Sequence, residues 1–427
     1  MLVKTIDSIA TMTKNIQTLA GTTAGRLNGK VAVIRGDTEG ISMSKLFTSV
    51  QVGPMVLSHR VVMAPLTRMR SEQPGDVPGD IMVEYYAQRA SEGGLIISEA
   101  TPVALTGRGY LGAPGIYSDA QIAGWKKITD AVHANGGKMF MQLWHVGRTS
   151  HVDLTGGPAP VSASVVPYEG VAFTHNGWVP VSPNRALDIE EIPGIVEEFR
   201  KGAERAKAAG FDGVELHGAN GYLIDQFLQD GTNKRADSYG GSPENRARLL
   251  MEIAHAVASV WGYNRVAVRI APSGKWNGMS DSNPAATFDY AAKALAPLGL
   301  AYLHIVEPRV IGSQEKADGL PPVAAVNLRQ FFKGTIMAAG GFNPKDAEEI
   351  VTKGDADLVA FGRHFIANPD LPERIRLGLP LNPYDRSTFY GGNAHGYTDY
   401  PFYEKRNRNR QPEADAFLVP GRAPFNP

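Results

Sequence analysis

The chain has 427 residues, 43% of them hydrophobic, enough to bury a sizeable core as one large α/β barrel or as two smaller domains. Its 43 basic residues balance 43 acidic ones, so no overall charge favours nucleic acid or an anionic membrane. The absence of cysteine excludes disulfides, thiolate nucleophiles and cysteine-bound metal sites and fits a reducing compartment such as the cytoplasm; no apolar run approaches the roughly 20 residues that cross a bilayer.

Residues 1–42 differ in composition from the rest of the chain. MLVKTIDSIATMTKNIQTLAGTTAGR is rich in Thr, Ser and small residues with Asp7 as its only acid, an acid-poor opening of the kind found in transit peptides, although arginine is scarce. The next piece, GRLNGKVAVIRGDTEGIS, resembles the opening strand of short-chain dehydrogenases. Arg35 and Ser42 interrupt that family's glycine pattern, and no helical crossover returns to a second strand, so a leader without a dinucleotide site is expected. MSKLF, from Met43, reads as a natural start. The expected organisation is a non-catalytic leader (1–42), a catalytic barrel (43–403) and a tail (404–427).

After a hairpin around VQVGPMVLSHR, short β-rich runs alternate with helical patterns. The runs are RVVMAP (60–65), GLIISEA (94–100), KMFMQLW (138–144), GVELHG (213–218), VAVRIA (266–271), YLHIVEP (302–308), TIMAAGG (335–341) and LVAFGR (358–363). Stretches such as QIAGWKKITDAVHANG and PENRARLLMEIAHAVASVWG repeat apolar residues at three- and four-residue spacing, the helical period. Eight strands alternating with helices predict a parallel sheet with right-handed crossovers. Eight is also the number that closes a (β/α)8 TIM barrel of about 250 residues or more, with a doubly wound open sheet as the alternative. From Gly147 to about Asp188 no helical period is evident, and a lid or subdomain after strand three is expected there.

In such barrels chemistry sits at the C-terminal strand ends. Those ends carry Thr67, Thr101, Gln142, Trp144, His217, Arg269, Glu307, Gly340 with Gly341, and Gly362 with Arg363. Within HGANGYLIDQF, the polar residues His217, Asn220 and Tyr222 would suit a metal, a nucleophile's base or a substrate oxygen, or plain core packing. A glycosidase needs two facing carboxylates, and Glu99, Glu215 and Glu307 are available, but strands seven and eight end in AAGG and FGR. No lysine stands at a strand end for a Schiff base, and one His beside a neutral amide is a poor metal cluster, so no metal site is expected. AAGG with FGR instead suits an anion: glycine lets backbone N–H groups approach closely and an arginine clamps phosphate, the alternative being turn glycines and a surface ion pair.

Taken together, MAPLTRMR, YYAQRAS, GLIISEAT, QLWHVGR, HGANGYLIDQF, DSYGGSPENRARLL and FGRHFIANPDL resemble the old yellow enzyme family of flavin-dependent alkene reductases, in order and spacing, from Met43 to about Tyr403. The resemblance implies a barrel holding FMN non-covalently at its C-terminal mouth. By matching motif, Pro65, Leu66 and Thr67 would lie along the flavin, Ala100 and Gln142 at its pyrimidine part, and Arg269 beside N1 and O2. Gly340, Gly341, Gly362 and Arg363 match the phosphate cradle. His217 and Asn220 match the pair that hydrogen-bonds the activating oxygen of the substrate, and Tyr222 the residue that protonates the α-carbon; this chain is of the His-Asn type. Tyr110, Trp144 and Tyr390 match aromatic positions that line the substrate side, although GGNAH after Tyr390 departs from the family pattern.

The implied reaction is NADPH reduction of FMN, with NADH as the other candidate donor. Hydride transfer to the β-carbon of an activated alkene (an unsaturated carbonyl, imide or nitro compound) comes next, in ping-pong order. The expected partners are small molecules, with neither nucleic acid nor membrane, for a cytoplasmic monomer or homodimer. Barrel relatives with an iron–sulfur cluster, the dienoyl reductase and trimethylamine dehydrogenase types, need cysteines that this chain lacks. A non-catalytic FMN-binding or sensor protein of the same fold is the alternative.

Overall fold

Runs of Val, Ile, Leu and Ala that are buried on both faces suit a parallel sheet covered by helices, and each of the eight predicted runs forms a strand. In chain order they are Val61–Met63, Leu95–Ile97, Lys138–Trp144, Gly213–Gly218, Val266–Ile270, Tyr302–Val306, Ile336–Ala339 and Leu358–Phe361, here barrel strands one to eight. Each pairs in parallel with the next, and strand eight pairs with strand one, Val359 beside Val61 and Phe361 beside Met63. The sheet is therefore a closed (β/α)8 TIM barrel, not an open doubly wound one. This computed structural model describes residues 44–311, 314–315 and 323–403, all in the unit that runs from Ser44 onward. The expectations for the leader, including its dehydrogenase-like stretch, and for the tail lie outside the described residues.

Helices follow the strands and start where the sequence caps them. Asp119–Ala134 opens on Ser118, whose Oγ accepts from Gln121 N–H at 3.3 Å while Gln121 Oε1 accepts from Ser118 N–H at 3.1 Å, a reciprocal capping box. Pro243–Trp261 starts with proline at its first position behind the Ser242 cap. The expected hairpin joins Val50–Val52 to Met55–Leu57. Its Val52, Met55 and Leu57 pack with inward residues of the lower barrel, among them Val62, Phe140, Tyr302 and Met337. The hairpin thus plugs the N-terminal end of the barrel.

The stretch expected to be a lid is an excursion after strand three. It holds a hairpin, Val171–Thr174 with Gly177–Pro180, and a short parallel pair, Val161–Ser162 with Arg185–Ala186. Within it Val152–Thr155 makes a single helical turn, too short to show a period, closed by Gly156 at φ 81°. Leu111 N–H donates to Phe173 O at 2.8 Å, tying the hairpin to the loop after strand two.

Two buried clusters fix the loops that form the upper face. Arg68 lies against the rings of Tyr85 and Tyr397, which stack at 4.0 Å, and donates to Phe389 O, Thr388 O and Gly396 O. Arg70 adds donations to Asn393 O and Thr388 O, and Arg89 to Tyr397 O. Together they clamp the late segment onto the loop after strand one. Glu99, fully buried, accepts from the backbone N–H of Arg68 and Met69 at 3.0 and 3.3 Å and from Tyr86 Oη at 3.3 Å.

Two outcomes are expected. Leu57→Ala should lower stability by about 2–5 kcal/mol through the void it leaves, read as a shift of the urea midpoint. Burial pushes the Glu99 carboxyl up to about 7, against the pull of the Arg68 and Met69 N–H groups. Stability linked to its protonated form is complete below the unfolded value and is lost as pH rises through the folded one. Relative to Glu99→Gln, the wild type should lose about 3 kcal/mol between roughly pH 4 and 8, and parallel urea midpoints across that range would refute this.

Candidate active site

The strands end at a cavity of about 450 Å³, within the range of small-molecule and cofactor sites. Its walls gather residues far apart in sequence. Pro65, Leu66 and Thr67 come from the loop after strand one, Ala100 from the loop after strand two, and Gln142 from strand three. His217, Asn220 and Tyr222 come from strand four and its turn, Arg269 from strand five, and Gly340, Gly341, Gly362 and Arg363 from the segments just after strands seven and eight. Tyr110 and Tyr390 complete the walls. Of the residues that the family resemblance assigned to the site, Trp144 does not line the cavity. It is 1% exposed and stands behind the wall, stacked on Tyr110 at 5.8 Å and edge-on to Tyr222 at 4.9 Å, so it buttresses the aromatic side without forming it.

Arg269 is the floor cation. Its Nε is enclosed without a partner among the described residues, and burial holds the guanidinium below its usual range although Glu215 acts to raise it. An enclosed guanidinium N–H without a partner is costly unless a ligand answers it. Opposite, Gly340 and Gly341 adopt φ of 125° and 67°, which side-chain-bearing residues rarely hold. A Cβ on Gly340 would sit 3.1 Å from Glu307 O, and one on Gly341 3.3 Å from Arg363 Nη2, so a side chain would crowd this cradle. Arg363 is steadied by Tyr384, whose Oη accepts from Nη1 at 3.2 Å. A glycine and arginine cradle suited to an anion, and a cation whose Nε has no partner among the described residues, fit a long ligand with a phosphate and an electron-rich ring, which is what FMN presents.

The fourth strand supplies the polar trio. Ala219 N–H donates to His217 Nδ1 at 3.4 Å, which makes Nδ1 the acceptor and leaves the proton on Nε2. Burial first, then the Arg269 charge, holds the His217 imidazole well below its usual range, so it is a neutral donor. Asn220 takes the left-handed φ of 59°, a conformation that asparagine tolerates. Asn277 Nδ2 holds this turn by donating to Asn220 O at 2.9 Å. Asp225 accepts from Gly221 N–H at 2.8 Å, and Gln226 Nε2 donates to Gly221 O at 2.7 Å. Tyr222 is 8% exposed, with its ring edge-on to His217 at 5.0 Å. Burial pushes its phenol well above the usual range, only partly opposed by Tyr110 and Asn277.

Several residues here escaped the sequence reading. Trp178 and Val171 of the excursion hairpin line the cavity mouth at 50% exposure each, and Trp178 meets Tyr110 and Tyr390 edge-on at 5.9 and 6.2 Å. Their segment has no strand-like signal beyond VAFTHNGWVP, which the helical-period test passes over. Asn277 sits in the loop after strand five at φ 57° and gives no motif. Other strand-end polar residues serve the backbone: Glu307 Oε1 accepts from Ala325 N–H at 2.7 Å, and Thr101 Oγ1 donates to Glu99 O at 2.8 Å. Among the described residues no group of three or more His, Asp or Glu could hold a metal ion, and no helix is long and apolar enough to cross a membrane.

Comparison with known proteins agrees with the barrel fold. The model of the NADH:flavin oxidoreductase / NADH oxidase family matches residues 45–382. A flavin oxidoreductase of Emericella nidulans is 45% identical over 381 residues, 84% of this chain and 98% of that protein. The 12-oxophytodienoate reductase 2 of Arabidopsis thaliana is 46% identical over 370 residues, 84% of this chain and 96% of that protein. Among solved structures, morphinone reductase superposes with a TM-score of 0.79 at 49% identity, covering 86% of this chain and 99% of the other. The old yellow enzyme homologue of Zymomonas mobilis gives 0.80 at 44% identity, covering 83% and 99%. With the barrel, the cavity and this extent of likeness together, the chain belongs to the NADH:flavin oxidoreductase / NADH oxidase family, the old yellow enzyme family of flavin oxidoreductases.

Proposed function

We propose that the protein is an FMN-dependent ene-reductase that takes its electrons from NADPH and reduces alkenes activated by a conjugated carbonyl, imide or nitro group. The observation that carries this reading is the convergence, on one cavity, of two neutral oxygen-binding donors and a protonated phenol with the unanswered Arg269 cation. Gly340, Gly341, Gly362 and Arg363 would hold the FMN phosphate, Arg269 and Gln142 the pyrimidine end, and Pro65, Leu66, Thr67 and Ala100 the rest of the ring. When bound, FMN supplies hydride chemistry, accepting hydride from the nicotinamide and giving it to the β-carbon of the alkene.

The protein's own residues do the remainder. His217 Nε2 and the Asn220 amide bind the activating oxygen and stabilise the negative charge that gathers there as the β-carbon is reduced. Neutral His217 suits this task, since it offers a hydrogen bond without handing over its proton. Tyr222 gives its phenolic proton to the α-carbon. Its raised pKa keeps that proton in place at neutral pH. Tyr110, Trp178 and Tyr390 bury the apolar part of the substrate and exclude water from it.

Purified protein loaded with FMN should be yellow, bleach anaerobically with NADPH and recover colour with 2-cyclohexenone. Protein that takes up no FMN would sink the reading, and uptake without alkene turnover would favour the non-catalytic alternative. Stopped-flow comparison of NADPH with NADH separates the proposed donor from its competitor. Tyr222→Phe should slow reoxidation by the alkene about 100-fold or more while sparing reduction by the nicotinamide; equal losses in both half-reactions would contradict the proton-donor role. His217→Ala should slow alkene reduction by about 100-fold, the usual loss for one oxyanion donor, and an unchanged rate would remove His217 from the oxygen site.

A further inference from the structure

Beneath the cavity the barrel interior holds a second polar group. Glu215, on strand four two residues before His217, is fully buried. Gln142 Nε2 donates to its Oε1 at 2.7 Å, and its Oε2 lies 2.9 Å from His304 Nδ1 on strand six. The strand register places Glu215 beside Gln142, and Arg269 beside His304. Around this group Arg269 Nε, His304 Nε2 and Tyr302 Oη are enclosed without partners among the described residues. Burial alone would push the Glu215 carboxyl up, but His304, Arg269 and Gln142 outweigh it and hold it ionised. Burial keeps His304 neutral, so it meets the carboxylate as an Nδ1–H donor. Glu215 is therefore the anion that acts on Arg269, through space and without a direct ion pair.

A carboxylate only accepts hydrogen bonds, so Gln142 must turn its NH2 toward Glu215, and its carbonyl oxygen is left for the cavity that it lines. We propose that Glu215 is a positioning residue for the cofactor end of the site: it fixes Gln142 as an acceptor for a ligand N–H, and its charge sets how strongly the Arg269 cation acts on a bound flavin. The inference rests on the reading of the cavity as an FMN site. Neither role touches the alkene, so the effect should fall on the flavin and not on the proton donor.

The test is the flavin reduction potential, by equilibration against a reference dye, together with FMN affinity and apoprotein melting, for wild type, Glu215→Gln and Glu215→Asp. Glutamine is nearly isosteric and can accept from Gln142 while donating to His304 Nδ1 once the neutral ring moves its proton to Nε2, so the fold has an alternative pairing. Removing the anion should raise the ratio of reduced to oxidised flavin at a fixed reference potential about tenfold, ~30 mV for a two-electron couple. Glu215→Asp keeps the charge but shortens the reach to Gln142. It should hold the ratio within about twofold of wild type, since the net charge acting on Arg269 is the same, and bind FMN more weakly. An unchanged ratio in Glu215→Gln, or an equal shift in both variants, would overturn the proposal. Should Glu215→Gln fail to fold, Glu215→Asp decides: weakened FMN affinity with a wild-type ratio supports it, and wild-type affinity overturns it. Wild type that takes up no FMN overturns the flavin reading itself, whereas flavin-loaded wild type beside an unresponsive Glu215→Gln overturns only this role.

Discussion

The site exists because strand eight hydrogen-bonds to strand one. Ala64 N–H donates to Phe361 O at 3.0 Å, and Val359 N–H to Arg60 O at 3.0 Å. That closure brings residues about 300 positions apart in sequence into one wall: a Cβ on Gly362 would lie 3.2 Å from Leu66. An open sheet would leave the glycine cradle and the strand-one loop on opposite edges. The parallel ladder also points every strand the same way, so polar side chains at the C-terminal ends gather at a single face while apolar ones fill the other.

Within that face the energetics are those of a few charges held out of water. Arg269, Glu215, Glu99 and the arginines of the Tyr85 and Tyr397 cluster are each buried enough that an unmatched partner would be expensive. Glu99 and Glu215 solve the problem differently. Glu99 meets backbone N–H groups and a phenol and is pushed toward its neutral form. Glu215 has an imidazole, an amide and a nearby guanidinium, and stays charged. Two carboxyls in one barrel thus take opposite protonation behaviour from their surroundings alone, one supporting a loop and the other lying beneath the ligand floor.

Much of this was legible in the sequence where local pattern and global fold agree. Continuous apolar runs ended by Gly or polar residues marked the strands, and the strand-end rule picked out His217, Arg269, Gln142, the Gly340–Gly341 pair and Gly362 with Arg363. Trp144 shares its strand face with Gln142, yet its ring is buried and stacks on Tyr110, which lines the cavity in front of it; strand position alone does not report such layering. The Glu215 to His304 contact joins residues 89 apart across three strands, so it depends on register and shear that no local window reports. Trp178 was hidden for another reason. Its strand, Gly177–Pro180, is only four residues long and buries none of them fully, so no apolar run marks it.

The arginine clamp on the late segment grips it by carbonyl oxygens. Arg68 and Arg70 bind Thr388 O, Phe389 O, Asn393 O and Gly396 O, and none of these contacts asks anything of the side chains there. Tyr390, at the rim of the cavity, sits inside the gripped stretch and is 48% exposed. Anchorage and selectivity are thereby assigned to different atoms of the same residues. Evolution can rewrite the rim's side chains, and with them the range of molecules admitted, while the main chain stays docked through an unchanged set of bonds.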